Sequence, residues 1–281
     1  MSKSKAASAQ EPKQIAETSI SRAYAQILLQ TLEGPGTEIS PLSLTVTGFG
    51  IDGCIPEDAG IRSSLDALLL SKGKRDVEDV AFTIFPQQLW RMAQGDRSKL
   101  FEYYRLGFPR YQATNRKANG RGLYFERMMM YGRGPCEGNQ LEFILSQYRQ
   151  GVRRSMMQVA IFDPERDHTP SAQLGFPCLQ QVHFEPTSAG LVANAFYATQ
   201  QMFDKAYGNY LGLAQLGAFV AHELEMPLAR LNVNVGVAKL ERIRKTDADL
   251  GPLVAAARAA LSPPVTRAAT LNAMLAGASF E

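Results

Sequence analysis

Apolar and polar positions alternate along this chain in two distinct periods, and the period assigns the elements. Ile20, Tyr24, Ile27, Leu28 and Leu32 recur at helical spacing, and Gly34-Pro35-Gly36 closes that predicted helix. Leu42, Leu44 and Val46 then alternate with Ser43, Thr45 and Thr47, which predicts a strand with one apolar face. A second helix is expected around Ile61 to Leu70, followed by a stretch from Val77 to Trp90 rich in β-branched and aromatic residues. Phe108 to Arg121 has the Gly, Pro, Asn and charge content of a surface loop. Leu141, Ile144, Leu145 and Tyr148 mark an amphipathic helix that starts at Asn139 and ends at Gly151. Three strands are expected at Ser155 to Phe162, Pro177 to Phe184 and Leu191 to Ala198, the first two joined by a loop over Asp163 to Gly175. Asn209 to Leu224 is apolar nearly all round, the pattern of a helix buried inside a domain. Leu231, Val233, Val235 and Val237 form one more alternating strand, and Ala255 to Leu261 a last helix closed by Ser262-Pro263-Pro264. Helices and strands intersperse without regular βαβ spacing and without an internal repeat, so the expected class is α+β.

Composition narrows the picture in three ways. Residues 1–17 are polar and rich in Ser, Lys and Gln, which predicts a flexible tail before a single domain over residues 18–281. No apolar run approaches the ~20 residues needed to span a bilayer, and no signal-type segment follows the first basic residues, so a cytoplasmic protein without a membrane partner is expected. Thirty Lys and Arg are scattered among twenty-seven Asp and Glu for a net charge of +3. This is no footprint of a nucleic-acid groove but is compatible with a small anionic ligand. Three cysteines, Cys54, Cys136 and Cys178, are an odd number at wide spacings, which implies neither a disulfide framework nor a zinc knuckle. No metal is expected, and His168, His183 and His222 lie on unrelated elements.

The candidate chemistry falls between Tyr131 and Asn209. In order come Tyr131-Gly132-Arg133, the helix from Asn139, Arg153-Arg154, Pro177-Cys178, Tyr197-Ala198-Thr199-Gln200-Gln201, and Asn209 at the head of the buried helix. Upstream lies Pro86-Gln87-Gln88-Leu89-Trp90. In order and spacing this set resembles the thymidylate synthases and the pyrimidine nucleotide hydroxymethylases related to them, over roughly Ser19 to Leu240. The resemblance implies a three-layer fold with a large mixed sheet, one face of which is used for homodimerisation. It also implies that Cys178 adds to C6 of a pyrimidine nucleotide or nucleoside, making C5 nucleophilic toward a one-carbon electrophile such as 5,10-methylenetetrahydrofolate. Tyr131 then assists proton transfer, Arg153 and Arg154 bind a phosphate in the partner subunit's site, and Asn209 reads the N3 and O4 edge of the base. Thr199, Gln201, Asn232 and Asn234 occupy substrate-contact positions, and Gln87 and Trp90 occupy cofactor-side positions.

Several positions depart from the family pattern. Its proton-relaying glutamate falls on Gln87, and an amide cannot exchange protons near neutrality. A phosphate-binding arginine falls on Ala198, a pterin-binding aspartate on Gln201, and the histidine after the nucleophile on Leu179. The loop Gly34 to Thr37 lacks its arginine, the sugar-binding His-x-Tyr reads Asn232-Val233-Asn234, and Ala276 to Glu281 lacks the family's small apolar ending. Plainer roles exist for each residue. Cys178 can pack, Arg153 and Arg154 can be a surface pair, Asn209 can cap its helix, Tyr131 can be a core tyrosine, and Cys54 and Cys136 read as structural. The expected function is C5 methyl or hydroxymethyl transfer to a pyrimidine other than dUMP. The alternative is a degenerate nucleotide-binding protein of the same fold. Cysteine-dependent cytosine methylation of nucleic acid is weaker, since neither an adenosylmethionine loop nor a basic stripe is present.

Overall fold

The computed structural model describes residues 11–120, 122–151, 153–168 and 177–262, apart from the side chains of 117 and 118. A seven-stranded mixed sheet organises them. Its strands are β1 (Lys13–Glu17), β2 (Glu38–Ile39), β3 (Leu42–Val46), β4 (Gln158–Ala160), β5 (Leu179–Thr187), β6 (Gly190–Gln201) and β7 (Leu228–Lys239). The order is β1-β3-β7-β6-β5-β4, with β2 paired to the end of β7. Pairing is parallel for β1 with β3 and for β6 with β7, and antiparallel elsewhere. The α+β expectation agrees with this mixed sheet.

The helices are α1 (Ile20–Glu33), α2 (Ala59–Ser71), α3 (Val77–Phe82), α4 (Gln87–Ala93), α5 (Arg97–Thr114), α6 (Arg116–Asn119), α7 (Tyr124–Met129), α8 (Gln140–Tyr148), α9 (Pro164–Asp167), α10 (Tyr207–Glu223) and α11 (Gly251–Leu261). Among them none is long and apolar enough to cross a membrane. Helix α10 lies against β6 and β7 and is buried along almost its whole length, as its all-round apolarity requires. Gly208 and Gly212 let α3 approach it: a Cβ on Gly208 would stand 2.6 Å from Val80 Cβ, and one on Gly212 2.7 Å from the Ala81 carbonyl. Helix α1 packs beside α10, and α2 and α11 close the outer layer.

The opposite sheet face is polar. Gln181, His183, Asn194, Phe196, Arg230, Asn232 and Asn234 alternate with the buried strand positions, and Phe196 is 42% exposed. Hydrogen bonds run across this face: Ser43 donates to Asn234 Oδ1 (2.9 Å), Thr45 to Asn232 Oδ1 (3.0 Å), and Asn232 to Asn194 Oδ1 (2.8 Å).

Three expectations change. Lys13–Glu17, assigned to the polar tail, forms the edge strand β1, anchored by Ile15 and by backbone pairing to β3. Phe108 to Arg121, expected as a loop, instead continues α5 through Pro109 to Thr114 and adds α6. Tyr104, Phe108, Tyr111 and Phe82 pack ring on ring there, and that packing overrides the helix-breaking composition. The Ser155 to Phe162 strand shortens to Gln158–Ala160 behind the single turn Arg154–Met156. Residues 1–10 of the expected tail, 169–175 of the expected loop and the terminal segment Ala276 to Glu281 lie outside the described residues.

Candidate functional site

Cys178 opens β5, where its carbonyl accepts the Ala198 N–H (3.0 Å) and the next residue, Leu179, pairs with Tyr197. A bulge after Leu179 ends regular pairing here, a common device for re-aiming side chains at a sheet margin. The thiol is partly buried and packs against the core. Burial pushes its pKa up, and the Glu241 carboxylate just beyond β7 adds to the rise.

A tyrosine does accompany the thiol, but it is Tyr124 at the head of α7. Burial raises the Tyr124 pKa and the neighbouring Cys178 charge adds to it, while the backbone N–H groups of Leu179 and Cys178 oppose the rise. Beneath it Tyr197 is fully buried, with a hydroxyl that has no hydrogen-bond partner among the described residues. Tyr210 donates to Gln200 Oε1 (2.7 Å), leaving the buried Gln200 amide nitrogen without an acceptor among the described residues. Three tyrosine rings and an amide therefore form a polar floor under Cys178.

Asn209 belongs to the same neighbourhood by helix geometry. On α10, Tyr207 meets α1 through Ser21 and Tyr24, Gly208 and Gly212 meet α3, and Tyr210 and Gly217 meet the sheet. At about 100° per residue, Asn209 falls on the flank opposite α1, between α3 and the sheet. Tyr124 itself is fixed from two sides, since Phe125 N–H binds the Thr83 carbonyl at the end of α3 while the Tyr124 hydroxyl faces the backbone of Cys178 and Leu179. Asn209 is 4% exposed and its amide makes no hydrogen bond among the described residues.

The other candidates are distributed elsewhere. The Tyr131 hydroxyl donates to the Phe162 carbonyl (3.1 Å), and its ring lies beside Arg133 rather than Cys178. Arg153 and Arg154 are exposed and line an open depression of about 620 Å³ with Ser155, His183 and Glu185. Within one chain their guanidinium groups do not act on the Cys178 thiol, whose pKa is raised by burial and by Glu241. Asn232 and Asn234 lie on the polar sheet face, so the sheet separates them from Asn209. Thr199 spends its hydroxyl on the Val237 carbonyl (3.1 Å). Gln201 sits at the Cys178 margin. With its amide oriented to satisfy both ends, it donates to Asp204 Oδ1 and accepts from Arg242 Nη2, each at 3.2 Å.

Trp90 packs edge-on against Phe219 (4.9 Å) and His222 (5.5 Å) near the far end of α10. At 1.5 Å per residue this is about 15–20 Å along the helix from Asn209. Gln87 opens α4, its side chain without a hydrogen bond among the described residues. No group of three or more His, Cys, Asp or Glu that would hold a metal ion occurs among the described residues.

Sequence reasoning missed Tyr124, and the signal for it was weak. Two tyrosines stand seven residues apart, and only the packing of α7 onto Thr83 and β5 selects the first. Neither a protein-family model nor a curated protein sequence matches this chain.

The raised thiol pKa has a direct consequence. Alkylation of Cys178 by iodoacetamide is expected to be slow at neutral pH and to climb with pH beyond the range where an ordinary thiol levels off. Removing the neighbouring carboxylate, Glu241→Gln, should shift that profile to lower pH. Peptide mapping across a pH series checks both. A Cys178 profile that levels off at or below the ordinary thiol range contradicts the assigned environment.

Proposed function

We propose that this protein is a thymidylate-synthase-like transferase that forms a covalent Cys178–C6 adduct with a pyrimidine nucleotide or nucleoside and directs a one-carbon group to C5. One observation carries the reading: Cys178 lies beside Tyr124 and Tyr197 at the margin of the sheet on which α10, with Asn209 in its first turn, is packed. A pyrimidine seated there meets each group in a chemical role. The thiolate adds to C6, the C5=C6 electron pair moves toward C5 and O4, and Asn209 donates and accepts along the N3 and O4 edge. Tyr124, the tyrosine nearer the thiol, is the group this reading assigns to proton transfer at C5. A bound methylenetetrahydrofolate would supply a carbon at the methylene level.

The resemblance further implies a homodimer. The polar sheet face, with Phe196 exposed at its centre and Arg153 and Arg154 at its margin, is the surface such a dimer would bury. Sedimentation at micromolar concentration is expected to give a dimer, and Phe196→Glu is expected to give monomer. A wild-type monomer contradicts this arrangement and the sharing of the two arginines.

A second reading, a binding protein of this fold without turnover, is favoured by the raised thiol pKa and by Gln87 in place of a carboxylate. Incubation with 5-fluoropyrimidine nucleotides, with and without methylenetetrahydrofolate, followed by intact-protein mass spectrometry separates the two. A covalent adduct supports the enzyme. Calorimetric binding without an adduct supports the binder.

A further inference from the structure

We propose that the Glu126–Arg166 pair is an acid-released latch: with Glu126 charged it fastens α9 to α7, the helix that opens with Tyr124, and with Glu126 neutral it lets α9 loosen. The latch is read out by amide exchange, so it stands or falls apart from the pyrimidine reading of Cys178.

Among the described residues two ion pairs join these helices, and they differ in how completely they are made. Asp167 on α9 engages both carboxylate oxygens with Arg127, at 2.6 and 2.8 Å, and both side chains are almost wholly buried. Glu126, one residue earlier on α7, is 6% exposed, yet its charge is poorly met. Oε1 stands 3.6 Å from Arg166 Nη2, beyond hydrogen-bond distance, and Oε2 is buried with no hydrogen-bond partner among the described residues. The carboxyl is pressed into this place: a Cβ on Gly122, where φ is +99°, would stand 2.1 Å from Oε2, so only glycine leaves room for it. A buried carboxylate with an unanswered oxygen carries a desolvation cost that its neutral form avoids.

The charged and titratable groups that face Glu126 among the described residues come from three helices. From α9 comes Arg166, whose side chain is partly exposed, and on the same helix as Glu126 stands Arg127. From α5 comes Tyr104, its ring 4.8 Å from that of Phe125 and its buried hydroxyl without a hydrogen-bond partner among the described residues. Burial, the largest influence, pushes the Glu126 pKa up, while Arg166, Arg127 and the Leu123 backbone pull it down. A carboxyl whose folded pKa lies above its unfolded value adds stability where it is protonated, and that stability is lost as pH rises through the folded pKa. Arg166 lowers the pKa of the same carboxyl, so proton binding and Arg166 docking oppose each other by linkage. Acid therefore weakens the grip of α9 on α7 without unfolding the domain, because protonating Glu126 breaks neither the Arg127–Asp167 pair nor the pairing of Arg133 with Asp163.

The test is hydrogen exchange of the Arg166, Asp167 and His168 amides, which donate to the Asp163 and Pro164 carbonyls within the α9 turn. Exchange in the full chain is followed by mass spectrometry across a series from about pH 4.5 to about pH 8, corrected for its intrinsic pH dependence. Wild type, Glu126→Gln and Arg166→Met are compared, each checked for an intact melting transition. Wild-type protection is expected to fall roughly fivefold or more from the neutral to the acid end, the lower range of coupling between two sites. Glu126→Gln and Arg166→Met should show the acid level of protection at every pH. Wild-type protection that does not change across the series overturns the latch. A pH response that persists in Glu126→Gln also overturns it, and assigns the response to the titratable His168 at the end of the turn. Should Glu126→Gln fail to fold, Arg166→Met at a partly exposed position supplies the test, and protection equal to wild type in that variant at neutral pH overturns the latch.

Discussion

The Cys178→Ala protein is expected to show no covalent adduct with a 5-fluoropyrimidine nucleotide under conditions where wild type is modified stoichiometrically. Only the thiolate at position 178 can form the bond to C6, and neither Tyr124 nor any residue of the polar floor can substitute as the nucleophile. Cys54 and Cys136 are exposed in loop and turn segments outside this neighbourhood. The substitution removes one sulfur from a partly buried position at a sheet margin, so its stability cost should be on the order of 1 kcal/mol or less. Loss of the adduct is then a chemical result and not a folding one. Non-covalent affinity should survive, because Asn209 is untouched. An adduct that persists undiminished in Cys178→Ala rules the nucleophile assignment out, and its mapping to another residue would name the true one.

The second large effect lies in the scaffold. Arg127 on α7 and Asp167 on α9 form a buried two-pronged pair, Nη1 to Oδ2 at 2.6 Å and Nη2 to Oδ1 at 2.8 Å. Nη1 also donates to the Ile161 carbonyl (2.9 Å), and Asp167 Oδ2 accepts the Asp163 N–H (2.8 Å). Gln140 joins the same unit, donating to the carbonyls of Arg127 (2.9 Å) and Ala160 (2.8 Å). Asp167→Ala would remove the carboxylate that makes two hydrogen bonds to a buried guanidinium, and breaking a buried pair from one side costs roughly 3–5 kcal/mol. For a chain of this size that corresponds to a fall in Tm on the order of 10 °C, a large share of a typical folding free energy. Because α7 carries Tyr124, the variant should also lose the alignment of that hydroxyl with Cys178. The exposed pair Arg258 and Glu33 is the control, and breaking it should change the melt little. A melt unchanged in Asp167→Ala would show that the pair is relaxed by water in solution.

Much of the architecture was legible in the chain because its signals are local. The alternation at Leu42 to Val46 and Leu231 to Val237 predicts β3 and β7, since a half-buried strand must place every second side chain in the core. The all-round apolarity of Asn209 to Leu224 predicts a buried α10, and the Asn139 cap predicts the start of α8, where its side chain accepts the Glu142 N–H. The polar composition that assigned residues 13–17 to a tail could not reveal β1, whose order comes from backbone bonds to β3 and the one buried side chain, Ile15. The loop-like composition of Phe108 to Arg121 likewise yields to aromatic packing, with Tyr104 one turn back on α5 and with Phe82, a partner distant in sequence. The nearness of Tyr124 rather than Tyr131 to the thiol and the distance of Trp90 from Asn209 were decided only by tertiary structure. Each depends on which faces of α7, α10 and the sheet meet, and residue type and spacing do not encode a direction in space until the helices are docked.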